Sequence, residues 1–344
     1  MNDTQEKILV TGAAGFIGSA VVKLLLREGF NVIGIDNLNS YYSPVLKQKR
    51  LKDIEKYKDH NYENWIFYKL SLENKKDLET ISRKYNIKIV INLAAQAGVR
   101  HSIKHPEDYI VSNINGFLNI LELCRDLKVE NFVYASSSSV YGGNQKLPFK
   151  ESDVTDHQLN LYGATKKANE SMAHCYSNLF NIPSTSLRFF TVYGPWGRPD
   201  MAPMIFAKSI LENKPIKVFN FGNMKRDFTY IDDIAKAVVA CVKKPATINH
   251  KFDREQPNLG SSFVPHRIFN VGNSKPVNLN YFIQLLEKYI GKRAIKQYLP
   301  MQPGEVIDTC SNSENLYKWI NFIPETEIEE GVRKFVEWFL KYEN

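Results

Sequence analysis

The stretch ILVTGAAGFIGSAVV, residues 8–22, narrows the possible folds more than any other segment. A β-branched run, Lys7 to Thr11, passes straight into Gly12, Gly15 and Gly18, and an apolar helix-like run follows. Each glycine answers a separate need of a phosphate-binding loop. Gly12 permits the tight turn, Gly15 lets the backbone approach a pyrophosphate, and Gly18 lets the helix pack closely on the strand. The anion then sits at the helix N-terminus, where unpaired N–H groups and the helix dipole favour negative charge. The next strand-like run, Asn31 to Ile35, is followed by Asp36, 18 residues beyond Gly18. A carboxylate there accepts hydrogen bonds from an adenosine ribose and repels a 2'-phosphate, so the expected dinucleotide is NAD rather than NADP.

The pattern then repeats. Further strand candidates are Trp65–Lys69, Ile87–Asn92, Asn131–Ser136 and Ser184–Phe189, separated by stretches such as NGFLNILELCRDLKV with apolar residues at three- and four-residue spacing. Strand and helix in alternation predict an α/β, Rossmann-type doubly wound parallel sheet covered on both faces. At 344 residues the chain exceeds one ordinary core, so a second, smaller α/β substrate domain is expected at the C-terminal end. Past residue 190 prolines cluster (Pro195, Pro199, Pro203), Ala246 to His266 reads as a long loop, RIFNVGN reads as a strand and EIEEGVRKFVEWFLKY as an amphipathic helix. The expected division is 1–190 for the dinucleotide, with 227–245 and 267–275 returning to it, and 191–344 mainly for substrate.

Composition excludes several classes. With 43% apolar and 24% charged residues the chain has the make-up of an ordinary globular protein. The formal charge of +8 comes from Lys and Arg interleaved with Asp and Glu, which suits small anionic ligands better than nucleic acid. Cys124, Cys175, Cys241 and Cys310 are scattered, and His101 and His105 are followed at once by Pro106, so neither a disulfide framework nor a metal site is expected. With no leader-like or membrane-spanning apolar run, the expected compartment is the cytoplasm.

Chemistry enters with LYGATKKANE. Tyr162 and Lys166 lie four apart, on one face of a helix, and of the 18 tyrosines only Tyr162 has lysine at that offset. A nearby cation favours the phenolate and makes tyrosine usable as a base near neutral pH. Upstream, the apolar run Phe132 to Ala135 ends in four hydroxyls, Ser136 to Ser139.

These stretches, with GIDNLNSYY, NLAAQAGVRHSI, FFTVYGPWGRPDM, MKRDFTYIDDIAKA and MQPGEV, make the chain resemble the extended short-chain dehydrogenases/reductases, and among them the UDP-glucuronate 4-epimerases. The resemblance spans nearly the whole chain and implies an NAD-containing isomerase, a UDP-sugar substrate and a homodimer built on helices near Glu107–Arg125 and Tyr162–Phe180. Two alternatives remain: a 4-epimerase of neutral UDP-hexoses (glucose or N-acetylglucosamine), and a non-catalytic NAD-binding regulatory protein.

Residue by residue, the resemblance implies Ser137, Tyr162 and Lys166 as the catalytic set. Besides the glycines, Asp36 and the catalytic pair, it implies cofactor contacts from Phe16, Ile17, Asn37, Ser40, Ser71, Leu72, Leu93, Ala94, Ala95 and Asn113. For the UDP moiety it implies Val218, Phe219, Arg226 and Glu305. For the sugar carboxylate it implies Ser138, Ser139 and Thr191, with Arg100 and Arg198 nearby. Ser71 stands where an aspartate commonly contacts adenine, Asn92 where histidine is common, and Asn312 where the C-terminal motif has aspartate.

Overall fold

The computed structural model describes residues 3–59, 63–302, 304 and 306–343. Its centre is a seven-stranded sheet formed by β1 (Asp3–Thr11), β2 (Val32–Asp36), β3 (Trp65–Lys69), β4 (Tyr85–Asn92), β5 (Asn131–Ser137), β6 (Ser184–Phe189) and, much later in the chain, a strand at His266–Val271. From one edge the order is 266–271, β6, β5, β4, β1, β2, β3, and every pairing is parallel. Strand order reverses between β1 and β4. Such a switch point leaves a crevice outside the carboxyl ends of the strands.

The alternation of side chains along each strand builds two cores, one per face. Ile8, Val10, Val32, Ile91 and Val133 join one buried cluster, while Leu9, Ile33, Ile35, Val90, Phe132 and Tyr134 join the other. The first is covered by helix Phe16–Arg27, whose Val21, Val22, Leu25 and Leu26 are buried, and by helix Ile231–Lys243. Helix Gly116–Leu127 covers the second through Phe117, Ile120, Leu121 and Cys124. Burying each such aliphatic side chain contributes about 1.5–3 kcal/mol.

Between β6 and the last sheet strand come β7 (Thr191–Tyr193), β8 (Pro215–Phe219) and β9 (Lys225–Tyr230); the 266–271 strand is β10, followed by β11 (Pro276–Asn278) and β12 (Ile295–Leu299). These short strands form a three-stranded sheet, β11-β9-β7, and a parallel pair, β12-β8. They stand over the carboxyl ends of the large sheet and close the crevice from above. The fold class anticipated from the alternating pattern is the observed one.

Two helical stretches matter for the site. Helix Leu161–Phe180 begins at Asn160, whose side chain accepts a bond of 2.8 Å from the Gly163 amide. That cap fixes where the first turn, carrying Tyr162, leaves the loop. The stretch expected to be one helix near 107–125 is instead Pro106–Tyr109, a π-helical turn at Ile110–Asn115, then Gly116–Leu127. The wider turn carries the buried Asn113.

Candidate active site

A cleft of 1070 Å³ runs along the carboxyl ends of the strands. At its dinucleotide end Gly12 adopts φ +69° and passes so close to β4 that a Cβ there would lie 2.7 Å from the Ala94 nitrogen. At Gly18 a Cβ would lie 2.0 Å from the Gly12 oxygen, so the helix start can approach the turn only without a side chain. Gly12, Gly15, Phe16, Ile17 and Gly18 all line the cleft, as do Asp36 and Asn37 after β2, Ser71 and Leu72 after β3, and Leu93, Ala94 and Ala95 after β4. Asp36 is buried, accepts from the Leu38 amide at 2.8 Å and lies 3.7 Å from the Lys47 ammonium. This arrangement fits a dinucleotide: close backbone at a helix N-terminus for the pyrophosphate, and a buried carboxylate for ribose hydroxyls.

Two expected cofactor contacts lie elsewhere. Ser40 is exposed and outside the cleft wall. Asn113 is buried behind it; its side chain accepts from the Gln96 amide at 2.8 Å and donates to the Gln96 carbonyl at 3.0 Å and to Thr165 Oγ1 at 3.1 Å. Asn113 thus holds the segment after β4 against the helix of Tyr162. Ser71 accepts from the Asn37 amide group at 3.1 Å, and Asn92 accepts from Thr11 Oγ1 at 2.6 Å, so both departures from the family pattern are satisfied within the protein.

At the reactive end Ser137, Tyr162 and Lys166 all line the cleft. Strand β5 runs through Ser137, so Ser136 does not end it; alternation turns Ser136 inward, where its hydroxyl donates 2.6 Å to Glu170 Oε1. Ser137 caps the following 3-10 turn, Ser138–Tyr141, accepting from the Ser139 amide at 3.2 Å. Burial raises the Tyr162 phenol above its ordinary pKa, opposed by a hydrogen bond from Ser137 and by the charge of Arg198. Lys166, buried at 2% exposure, is pushed down to about 8 by burial, with Glu170 opposing the fall. Its ammonium donates 2.8 Å to the Ala135 carbonyl. In the protein alone the Lys166 ammonium thus rests on a backbone carbonyl, and Arg198 is a cation whose charge acts on the phenol.

On the substrate side Ser138, Ser139, Thr191, Arg100, Arg198, Phe219 and Arg226 line the cleft. Arg100 stacks over the Phe219 ring at 5.2 Å. Arg198 forms a two-pronged pair with Asp200, which also accepts from the Tyr41 hydroxyl at 2.9 Å. Arg226 donates to the Val306 carbonyl at 2.7 Å and to the Ile307 carbonyl at 2.5 Å, holding that segment against the cleft. Val218 is fully buried within β8 and does not line the cleft, because alternation along the strand sends its neighbour Phe219 there instead. Glu305 lies outside the described residues.

Sequence reasoning missed the wall behind the serines. Arg188 is 1% exposed and Glu170 3% exposed, joined by bonds of 2.8 Å from Arg188 Nε and Nη2. Arg188 also donates 3.0 Å to the Tyr141 hydroxyl, which donates 2.6 Å to Asn270 Oδ1. The signal was present in STSLRFF, where a lone arginine interrupts an apolar strand. Among the described residues no cluster of three or more His, Cys, Asp or Glu suits a metal ion, and no helix is long and apolar enough to cross a membrane.

Comparison with known proteins agrees with this geometry. The chain is 53% identical over 336 residues to protein CapI of Staphylococcus aureus, covering 98% of this chain and 99% of that one. It is 43% identical to a UDP-glucuronate 4-epimerase of Thermodesulfobacterium geofontis, covering 96% and 95%. Its structure matches that of the UDP-glucuronic acid 4-epimerase from Bacillus cereus in complex with UDP-glucuronic acid and NAD, with a TM-score of 0.85 at 33% identity over 98% of this chain and 99% of that one. The match to the NAD dependent epimerase/dehydratase family runs through residues 8–272, from β1 to the end of the seven-stranded sheet, and the chain belongs to that family as an NAD-using isomerase.

Proposed function

We propose that this chain is a UDP-glucuronate 4-epimerase, interconverting UDP-glucuronate and UDP-galacturonate through a transient 4-keto sugar. Residues 12–18, Asp36 and the segments after β3 and β4 would hold NAD, which when bound supplies the acceptor and donor of hydride. Tyr162 takes the proton of the sugar 4-hydroxyl, Ser137 hydrogen-bonds the same oxygen, and Lys166, tethered to Ala135, presents its charge toward the cofactor side. Phe219 and Arg226 border the UDP end. The planar keto sugar turns over and receives its hydrogen on the other face, so no net redox change occurs.

The observation that carries this reading is the uncharged cradle beside Ser137: Ser138, Ser139 and Thr191 all face the cleft. A 4-keto uronate is a β-keto acid and loses carbon dioxide readily, so donors that hold its carboxylate without a neighbouring acid protect it. The test is mass spectrometry and NMR of the protein incubated with UDP-glucuronate. UDP-galacturonate without carbon dioxide is expected; a pentose product would make the chain a decarboxylase. The same hydroxyls can also hold a neutral hydroxymethyl group, so turnover of UDP-glucose equal to or better than that of UDP-glucuronate would favour a neutral hexose instead.

The same reading assigns residues 1–190, with 227–245 and 267–275, to the cofactor and the rest mainly to the UDP-sugar. It also implies a cytoplasmic homodimer that supplies surface polysaccharide. Exposed Ile110, Val111 and Leu118 on one helical stretch and Leu179 and Phe180 on another support the dimer.

A further inference from the structure

Arg50 belongs to none of the motifs named above, yet it is 1% exposed and uses all five of its N–H groups. Its Nη1 donates 3.1 Å to the Ala14 carbonyl, inside the glycine loop, and 2.6 Å to the Tyr42 hydroxyl. Its Nε and Nη2 converge on the Trp196 carbonyl at 3.1 and 2.7 Å, and Nη2 also reaches the Gly197 carbonyl at 3.3 Å. All these acceptors are neutral. Burying a guanidinium on neutral oxygens is costly, so a rigid five-bond hub at this place needs a reason.

The turn it holds is itself strained. Trp196 has φ +67°, a left-handed conformation unusual for a large side chain, and the next residue but one is Arg198. Arg198 supplies the charge felt by the Tyr162 phenol. One side chain therefore bolts the dinucleotide loop to the turn that aims the arginine of the sugar end.

We propose that Arg50 is a positioning residue that couples seating of the dinucleotide on the glycine loop to placement of Arg198 beside Tyr162. The proposal rests on the epimerase reading for its kinetic arm only. A lysine at position 50 keeps the charge but has three donors in place of a planar fork of five, so it cannot hold both loops.

The first test needs no sugar. Amide hydrogen exchange of the wild type with NAD added should slow in peptides covering 194–200 as well as 12–18, and Arg50→Lys should keep the second effect and lose the first. The expected loss of protection is about tenfold, the worth of one hydrogen bond from a charged donor. Equal protection of 194–200 in the variant, or none in the wild type, overturns the proposal.

The second arm is the pH profile of kcat with UDP-glucuronate. The groups facing the phenol are Ser137 from β5, Tyr109 from helix Pro106–Tyr109 and Arg198 from the turn, with Lys166 on the same helix as Tyr162. Arg50→Lys should move the basic-group limb upward by about one unit, as Arg198→Met should, and the double variant should move it no further. A limb unmoved in Arg50→Lys, or additive shifts, would mean that Arg50 serves folding alone. Should Arg50→Lys fail to fold, Tyr42→Phe removes one acceptor and should reproduce part of both effects; wild-type behaviour in both overturns the coupling. Exchange coupling without any turnover of UDP-glucuronate would instead sink the epimerase reading and leave this one standing.

Discussion

Replacing Glu170 by glutamine tests the buried wall behind the serine run. The carboxylate accepts two bonds of 2.8 Å from Arg188 and one of 2.6 Å from Ser136, and each of the three residues is at most 3% exposed. Glutamine keeps the shape but leaves the Arg188 charge uncompensated, a loss of about 3–5 kcal/mol. With an unfolding entropy of about 0.7 kcal/mol/K for a chain of this length, the melting temperature should fall by about 4–7 °C. Calorimetry and urea unfolding at saturating NAD measure this directly. Replacing both partners, Glu170→Leu with Arg188→Met, should destabilise less than Glu170→Gln alone, because no unpaired charge remains. A second effect is chemical: Glu170 raises Lys166, so its loss should let the lysine pKa fall below about 8, with activity lost first at alkaline pH. Arg188 and Ser136 hold Glu170 itself low against the upward push of burial, so the pair's stabilisation is present above the free-carboxylate pKa and lost as pH falls through the folded value. A single-variant loss under about 1 kcal/mol, the range of an exposed pair, would refute the argument.

Other outcomes follow from the same structure. His266, bonded to the Tyr134 hydroxyl at 3.0 Å, is pushed down to about 3 by burial, helped by His174 and Arg188. The unfolded chain takes up this proton from about pH 6.5 downward and the folded one does not, so stability should fall with acidification, by about 1.4 kcal/mol at pH 5.5. His266→Gln should flatten that slope in pH-dependent unfolding, and a slope unchanged from wild type would count against it. Asp36→Ala removes the carboxylate and leaves Lys47 in place, so relative affinity should move toward NADP by about 5- to 1000-fold, the about 1–4 kcal/mol of one like-charge contact at about 4 Å between the limits of bulk water and a protein surface; titration with each cofactor decides it. Tyr162→Phe should lower turnover by about 10²–10⁴-fold while NAD stays bound, and undiminished turnover would exclude the phenol as base.

Much of the frame was legible because it is local. Trp65–Lys69 and Ser184–Phe189 are the observed strands to the residue, Asn131–Ser136 stops one residue short of the observed end, and Asn31–Ile35 is displaced by one residue at both ends. Period-2 alternation and glycine spacing are written in consecutive residues, so they survive without tertiary knowledge. What escaped depends on partners distant in the chain. Arg50 finds Trp196 across 146 residues, and Asn270 finds Glu151 across 119. Lys166 shows the limit of spacing arguments: four residues put it on the face of Tyr162, but the nearby Ala135 carbonyl determines where its ammonium rests.

The alternation of β5 also sets which parts of this site are free to diverge. Ser136 is committed to the buried Glu170 and Ser137 to capping the turn as well as to the cleft, so a change at either disturbs a wall or a strand end. Positions 138 and 139 are the half-buried, cleft-facing half of a 3-10 turn whose Val140 and Tyr141 are buried, and neither takes part in an ion pair. If the proposed function holds, exchanging these two adjacent side chains would change the surroundings of the sugar while the sheet and the glycine loop stay as they are.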